Sequence, residues 1–292
     1  MISNIKSKCI LNLVFQKLNK KKKLSILKHS KKLLDKLNIT QKDFEEYTLL
    51  KELNKKFNLN IEDVDIKEIN LKGKYLGNNL LEYLTKIKFS DLELLNLTAN
   101  KLSDINLLEK AKSSKLKILN ISYNIIGNID ILEKVSFIRL KELYLNDNSI
   151  RDINILSKVN FKELEILDLS FNKICDIDIL ENVNLNELKE LYLSENLISD
   201  IKVLERIKLK KLETLRLNAN KISDDDIISL EKINCDSLEV IDLSCNDISN
   251  YVLNKIKSQG IKVLNMNWSD IDDFMLGKVD FNTLMLMFLL DN

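Results

Sequence analysis

Residues 140–150, LKELYLNDNSI, and residues 164–174, LEILDLSFNKI, carry one pattern, LxxLxLxxNxI. The pattern also starts at Leu92, Leu116, Leu188, Leu212 and Leu238, so seven copies follow one another at intervals of 24, 24, 24, 24, 24 and 26 residues. Weaker copies flank them. IKEINLKGKYL (66–76) has Lys74 in place of the asparagine, IKVLNMNWSDI (261–271) has Ser269 there, and FNTLMLMF (281–288) keeps the first half alone. A fixed period of this length marks a stack of units, none of which can bury its apolar face alone.

Each unit has a physical reading. The segment xLxLx alternates with period two, so it forms a short strand with Leu143 and Leu145 inward and Tyr144 outward. The asparagine that follows (Asn100, Asn124, Asn148, Asn172, Asn196, Asn220, Asn246) stands where the chain leaves the strand. Its amide both donates and accepts, and so can satisfy backbone groups of adjacent turns that would otherwise be buried unpaired. Four residues later comes Asp104, Asn128, Asp152, Asp176, Asp200, Asp224 or Asn250, read as the N-cap of a short convex helix. Ile153, Leu156 and Val159 give that helix an apolar face. Phe89, Phe137 and Phe161, each three residues before the next copy, plug the space between helix and strand. Strands stack about 4.8 Å apart and helices need about 10 Å, so the stack curves with its strands on the concave side.

These seven copies resemble the leucine-rich-repeat family over about three quarters of the chain. The resemblance implies a right-handed α/β solenoid: a parallel concave sheet of about 9–10 short strands, short convex helices and an N-terminal helical cap. The convex DIxxL signature is similar to the subclass typified by the leucine-rich regulatory subunit of protein phosphatase 1. That likeness concerns scaffold geometry and carries no partner identity.

Residues 1–63 lack the repeat and form a separate basic segment, with the repeat domain at 64–292. They hold 15 lysines and 7 acidic residues, a local charge of about +8, which leaves about −7 on the body given the net +1. The periodicity predicts three helices, near 5–18, 23–37 and 41–57, the third with Phe44, Tyr47, Leu50, Leu53 and Phe57 on one face and Thr40 as its cap. A solenoid needs its first turn covered, which gives these helices a capping role. The stretch 10–37 also resembles an F-box: Ile10, Leu11, Val14, Phe15 and Leu18 match its first helix, and Leu24 and Ser30–Lys31 fall near later positions. It lacks the usual Leu-Pro start, and Leu33 stands where an aromatic is usual.

No catalytic constellation is present. The single histidine, His29, lies in a lysine-rich helix, and there is no GxGxxG, P-loop or HExxH. Cys9, Cys175, Cys235 and Cys245 are scattered without a CxxC pair, which fits reduced thiols in the cytoplasm or nucleus and no zinc. Asp224–Asp226 lacks the alternating ligands of a calcium loop, and capping accounts for Asp224. No secretory h-region is visible, and the run 284–290 is too short to span a bilayer. Neither a cofactor nor a metal nor a small-molecule substrate is expected.

The function is therefore sought on the outward strand positions, where side chains do not serve the core. Between the two inward leucines these read Asn70, Asn96, Asn120, Tyr144, Asp168, Tyr192, Arg216, Asp242, Asn265 and Met285. Just before the asparagine they read Gly73, Ala99, Tyr123, Asp147, Phe171, Glu195, Ala219, Cys245 and Trp268. Aromatics and acids alternate in the middle, and aromatic and arginine residues dominate interface hot spots. The candidate partner-binding residues are Tyr123, Tyr144, Asp147, Asp168, Phe171, Tyr192, Glu195, Arg216 and Trp268. The expected partner is a protein rather than a nucleic acid or a membrane, bound by a monomer. Alternate copies match more closely than neighbours, as in Tyr144/Tyr192 and Tyr123/Phe171, so the same chemistry is displayed twice at a 48-residue spacing.

Overall fold

The computed structural model describes residues 41–249, apart from 62–63, 112, 208, 228, 230–231 and 233–236, together with residues 263–265 and 286–288. The helices expected near 5–18 and 23–37, the F-box-like stretch, Thr40, His29, Cys235, Asn250 and Trp268 lie outside the described residues.

Ten three-residue strands form one parallel sheet in chain order: β1 (Glu68–Asn70), β2 (Leu94–Asn96), β3 (Ile118–Asn120), β4 (Glu142–Tyr144), β5 (Ile166–Asp168), β6 (Glu190–Tyr192), β7 (Thr214–Arg216), β8 (Val240–Asp242), β9 (Val263–Asn265) and β10 (Leu286–Phe288). The register places equivalent repeat positions side by side, as in Tyr144↔Asp168 and Asp168↔Tyr192. The last pairing corrects one expectation. Phe288, three residues beyond Met285, stands opposite Asn265.

The inward positions build a continuous core. Leu140, Leu143, Leu145 and Ile150 are completely buried, as are their counterparts Leu164, Leu167, Leu169 and Ile174. Phe89, Phe137 and Phe161 are buried where the repeat spacing puts them, and Ile153, Leu156 and Val159 close the convex side.

The asparagine column forms a ladder. Asn172 donates from Nδ2 to the carbonyls of Leu169 (3.0 Å) and Ser170 (3.1 Å) in its own turn and of Leu145 (3.1 Å) in the turn before. Its Oδ1 accepts from the Ile150 backbone N–H at 2.9 Å. Asn124, Asn148, Asn196, Asn220 and Asn246 repeat the scheme, each joining two consecutive turns. Backbone groups that the curve of the chain takes out of the sheet are satisfied in this way.

The convex side differs from expectation in kind. The 24-residue copies make single 3-10 turns, at Asn106–Lys110, Asp130–Glu133, Asn154–Ser157, Asp178–Asn182 and Lys202–Glu205. Each starts two residues after the aspartate or asparagine that was expected to cap it. That residue still works through its side chain: Oδ1 of Asp104, Asn128, Asp152, Asp176 and Asp200 accepts from the backbone N–H two residues on, at 2.8 Å in every case. Among the described residues the convex side has α-helical turns in two places, α2 (Asn79–Leu84) and α3 (Asp224–Ile227). Both fall where successive copies are spaced by 26 rather than 24 residues, from 66 to 92 and from 212 to 238. A 3-10 turn is tighter than an α turn, so the loss of two residues selects it.

In the repeat that holds α3, Asp226 rather than Asp224 serves the cap. Its Oδ2 accepts from the Ser223 N–H (3.2 Å) and hydroxyl (2.7 Å). Asp224 instead reaches the next repeat, accepting from the Ser249 N–H at 2.6 Å and from its hydroxyl at 2.5 Å.

The third expected helix is present as α1 (Gln41–Phe57), and it packs against α2. Leu50 and Leu53 enter the same core as Leu80 and Leu81 of α2. Phe57 meets Tyr83 edge-on at 5.6 Å, and Lys56 lies over the Tyr83 ring at 4.5 Å. The chain is then pinned by Asn54, which donates to the Ile61 carbonyl (2.8 Å) and accepts from its N–H (3.0 Å).

Candidate functional site

Strand alternation alone decides which side chains meet solvent on the concave face. With Leu143, Leu167 and Leu191 buried at the strand centres, Tyr144, Asp168 and Tyr192 point outward from β4, β5 and β6, and Arg216 follows on β7. The structure thus lines up four of the residues singled out in the sequence on four adjacent strands. Tyr144 and Tyr192 are half-buried, and each phenol donates to a glutamate two residues back on its own strand, Tyr144 to Glu142 at 2.9 Å and Tyr192 to Glu190. Burial and these carboxylates push both phenols above their ordinary range, Tyr192 to about 12. The Arg216 guanidinium lies over the Tyr192 ring at 5.5 Å. Asp168 is half-buried between the tyrosine strands, and its Oδ1 accepts from the Ser170 N–H at 3.0 Å. Burial raises its carboxyl, Asp147 adds to the rise, and the Ser170 hydrogen bonds and the Arg216 charge oppose it. Asp242, the next acid of the column, accepts from the Ser244 N–H (3.1 Å) and hydroxyl (2.7 Å) and is withdrawn from the surface.

The second outward column sits at the rim, where the chain turns off the strand. Every member described has left-handed backbone: Gly73 at φ 68°, Ala99 56°, Tyr123 54°, Asp147 54°, Phe171 55°, Glu195 52°, Ala219 53° and Cys245 56°. Ala99, Tyr123, Asp147, Phe171, Glu195 and Ala219 donate their N–H to the following repeat, as Phe171 does to the Ser194 carbonyl at 2.8 Å. The conformation costs a non-glycine residue about 1 kcal/mol. Its recurrence at alanine and cysteine makes it a property of the turn rather than of a site. Its consequence is display: Tyr123 and Phe171 are 59% and 50% exposed. Asp147 holds the Tyr123 phenol above its ordinary range, chiefly through its charge.

Two kinds of residue escaped the sequence reading. Ile125 and Leu197 are exposed beside this rim. The signal was legible: the position just after the asparagine is Lys, Ser or Asp in the other complete copies (Lys101, Ser149, Lys173, Lys221, Asp247). Glu142 and Glu190 also belong to the site, as the acceptors that tie down the tyrosines.

A charge ladder runs along the other end of the strands. Glu165 binds Lys141 at 2.6 Å on one side and Lys189 at 2.7 Å on the other, and its carboxyl falls to about 2 through those two hydrogen bonds. Glu93 is held in the same way by Lys117 (2.6 Å) and Lys67 (3.4 Å). These lysines are engaged within the sheet, which leaves the tyrosine band acidic. Among the described residues no group of three or more His, Cys, Asp and Glu side chains could hold a metal ion, and no helix is long and apolar enough to cross a membrane.

A family model described as leucine-rich repeats in two copies matches residues 138–182 and 186–230, which contain β4 to β7 and the tyrosine band. The chain folds as a leucine-rich-repeat solenoid. Internalin C2 of Listeria monocytogenes is similar at a TM-score of 0.53 and 22% identity, over 83% of this chain and 92% of that one. A leucine-rich-repeat protein of Leptospira interrogans gives 0.52 and 22%, over 73% of this chain and 59% of that one. The leucine-rich-repeat ectodomain of the membrane receptor kinase GASSHO1/SCHENGEN3 of Arabidopsis thaliana, solved in complex with Casparian strip integrity factor 2, gives 0.50 and 22%. This solenoid covers only 29% of that ectodomain. No curated protein matches the sequence. At these identities the likeness concerns fold alone. Leucine-rich-repeat proteins generally mediate protein–protein interaction.

Proposed function

We propose that this solenoid is a non-catalytic protein-interaction scaffold that seats a protein partner on the middle of its concave face. The observation that carries the reading is the band Tyr144–Asp168–Tyr192–Arg216, one side chain per strand, turned away from the core and held in place by Glu142 and Glu190. Side chains with no packing duty are free to serve recognition, and half-buried tyrosines with fixed hydroxyls are low-entropy anchors. Tyr123, Asp147, Phe171 and Glu195, with Ile125 and Leu197, supply an apolar and acidic rim beside the band, and the repeat pattern adds Trp268 as a further candidate contact. The partner's complementary surface carries basic and aliphatic groups. We place the scaffold, as a monomer, in the cytoplasm or nucleus, a reading that rests on four cysteines scattered without a CxxC pair. It uses no cofactor, and it binds neither nucleic acid nor a small-molecule substrate. Residues 1–63 serve either as a helical cap or as a docking segment for a second partner.

Affinity purification of the full chain, in wild-type form and as Tyr144→Ala and Tyr192→Ala, tests this. Loss of one protein from both variants, with Lys158→Ala on the convex side retaining it, is the expected result. Retention in both tyrosine variants and loss in the convex control would move the surface to the other side. The identity of the captured protein separates the two more specific readings. Ubiquitin-ligase adaptor and cullin subunits would make the chain a substrate receptor, and a phosphatase catalytic subunit would make it a phosphatase regulator.

A further inference from the structure

We propose that Tyr144, Asp168 and Tyr192 form a slot for the guanidinium of one arginine of the protein partner. This deepens the concave-face reading and rests on it. The walls are the two tyrosines on β4 and β6, and the floor is Asp168 on β5, flanked in register by Ile166 between Glu142 and Glu190. Two strand steps separate the tyrosine backbones by about 9.6 Å, so with each ring standing over its own strand a cation seated midway would lie about 4.8 Å from each, inside the roughly 6 Å reach of a cation–π contact. The walls cannot swing freely, because both phenols are tied to glutamates. One guanidinium already uses this chemistry within the molecule: Arg216, arriving from β7, lies over Tyr192. Among the described residues no cation is seated over the ring of Tyr144.

Charge selects the same occupant. Glu142, Asp168 and Glu190 contribute three carboxylates to the slot, with Asp147 close enough to act on Asp168. The nearby lysines Lys141 and Lys189 are drawn to Glu165 at the other end of the strands. Arg216 is the remaining cation of the band, so the slot carries excess negative charge until something positive enters. Asp168 gives up part of its hydration by being half-buried, and an arriving guanidinium would supply charge-assisted hydrogen bonds in place of water. A planar fork that stacks on aromatic faces suits this geometry better than an ammonium.

The test uses the full chain with ring-labelled tyrosine, titrated with tri-arginine amide and, separately, with tri-citrulline amide, whose ureas have a similar shape without the charge. Saturable, concerted shifts of the Tyr144 and Tyr192 resonances are expected with tri-arginine, and binding at least about tenfold weaker with tri-citrulline. Asp168→Asn keeps an oxygen for the Ser170 N–H and removes the charge, so it should weaken tri-arginine by about fivefold or more at unchanged melting temperature. Equal affinity for the two peptides, no shift at either tyrosine, or indifference to Asp168→Asn would each overturn the slot. If tri-arginine fails while Tyr144→Ala and Tyr192→Ala still release the captured protein, the arginine slot falls and the concave-face reading stands. If tri-arginine binds and the captured protein ignores both variants, the partner reading falls instead.

Discussion

The asparagine ladder and the tyrosine band run side by side along the same strands, and they obey opposite rules. Asn100 to Asn246 is one residue type in seven successive repeats, because each amide answers equivalent backbone groups in the same turn. The outward column one strand-face away begins with Asn70, Asn96 and Asn120 and then runs Tyr144, Asp168, Tyr192, Arg216, Asp242, with no two neighbours alike in that second stretch. In a repeat protein, uniformity marks a demand of the stack, and variation marks positions the stack leaves alone. Polar character does not separate the two: the most polar invariant column is structural.

The comparison breaks most visibly at Asn172. Asn172→Ala removes three donated hydrogen bonds and one accepted bond from a buried site, leaving backbone groups without partners or water. We expect a loss of about 3 kcal/mol or more in urea unfolding. Asn220→Ala should cost less, since Asn220 is only partly buried and its bond to the Asn218 carbonyl is long at 3.4 Å. Equal and negligible losses at both would show that the ladder does not hold the turns together.

On the other side of the comparison, Tyr144→Ala and Tyr192→Ala should each cost about 1 kcal/mol of stability at most, because neither ring enters the core. Each should cost about 2 kcal/mol or more of partner binding, measured by calorimetry with the purified partner. A variant that lost stability and binding in the same proportion would put the tyrosines among the structural columns.

The repeat pattern made most of the fold legible. The inward leucines, the phenylalanine plugs, the asparagine ladder and α1 all stand where spacing and alternation put them. What spacing could not show was the convex conformation. Asp152 signals the start of a turn equally well for an α-helix and a 3-10 turn, and only the two-residue difference between 24- and 26-residue copies separates them. The outward direction of Tyr144, Asp168, Tyr192 and Arg216 was also legible, since it follows from alternation. The pairing of Tyr144 with Glu142 was not, because it depends on side-chain rotamers rather than on period. Ile125 and Leu197 were missed for another reason. Apolar residues next to an invariant asparagine read as core, whereas the left-handed residue before that asparagine turns the chain so that they face solvent.

That left-handed turn gives a smaller test within the rim column. Ala219 has φ 53°, a conformation that glycine adopts without a Cβ penalty. Ala219→Gly should therefore raise stability by up to about 1 kcal/mol, after the entropy that glycine adds to the unfolded chain is set against the relief. Asn218→Gly, one residue earlier and outside the left-handed set, should lower it. Thermal unfolding of the pair decides the matter, and a loss in both would show that the turn does not strain its alanine.

The smallest effect belongs to the charge ladder, which is repeated yet exposed, and so stands between the two columns. Glu165 accepts from Lys141 and Lys189, and these hydrogen bonds lower its folded pKa to about 2, below the value of roughly 4.3 expected for an unfolded glutamate. A carboxyl whose pKa is depressed by folding stabilises the folded state above its unfolded pKa, and that contribution disappears as pH falls towards the folded value. The groups face solvent, so the contribution should stay under about 1 kcal/mol and shrink in salt. Wild type should thus exceed Glu165→Gln by this small margin at pH about 6, and the two should converge between pH about 4 and 2. Denaturant titrations at several pH values and two salt concentrations measure the gap. A gap that persisted unchanged at pH about 2 would have to come from packing of the glutamate stem. That result would move Glu165 into the company of the asparagine ladder.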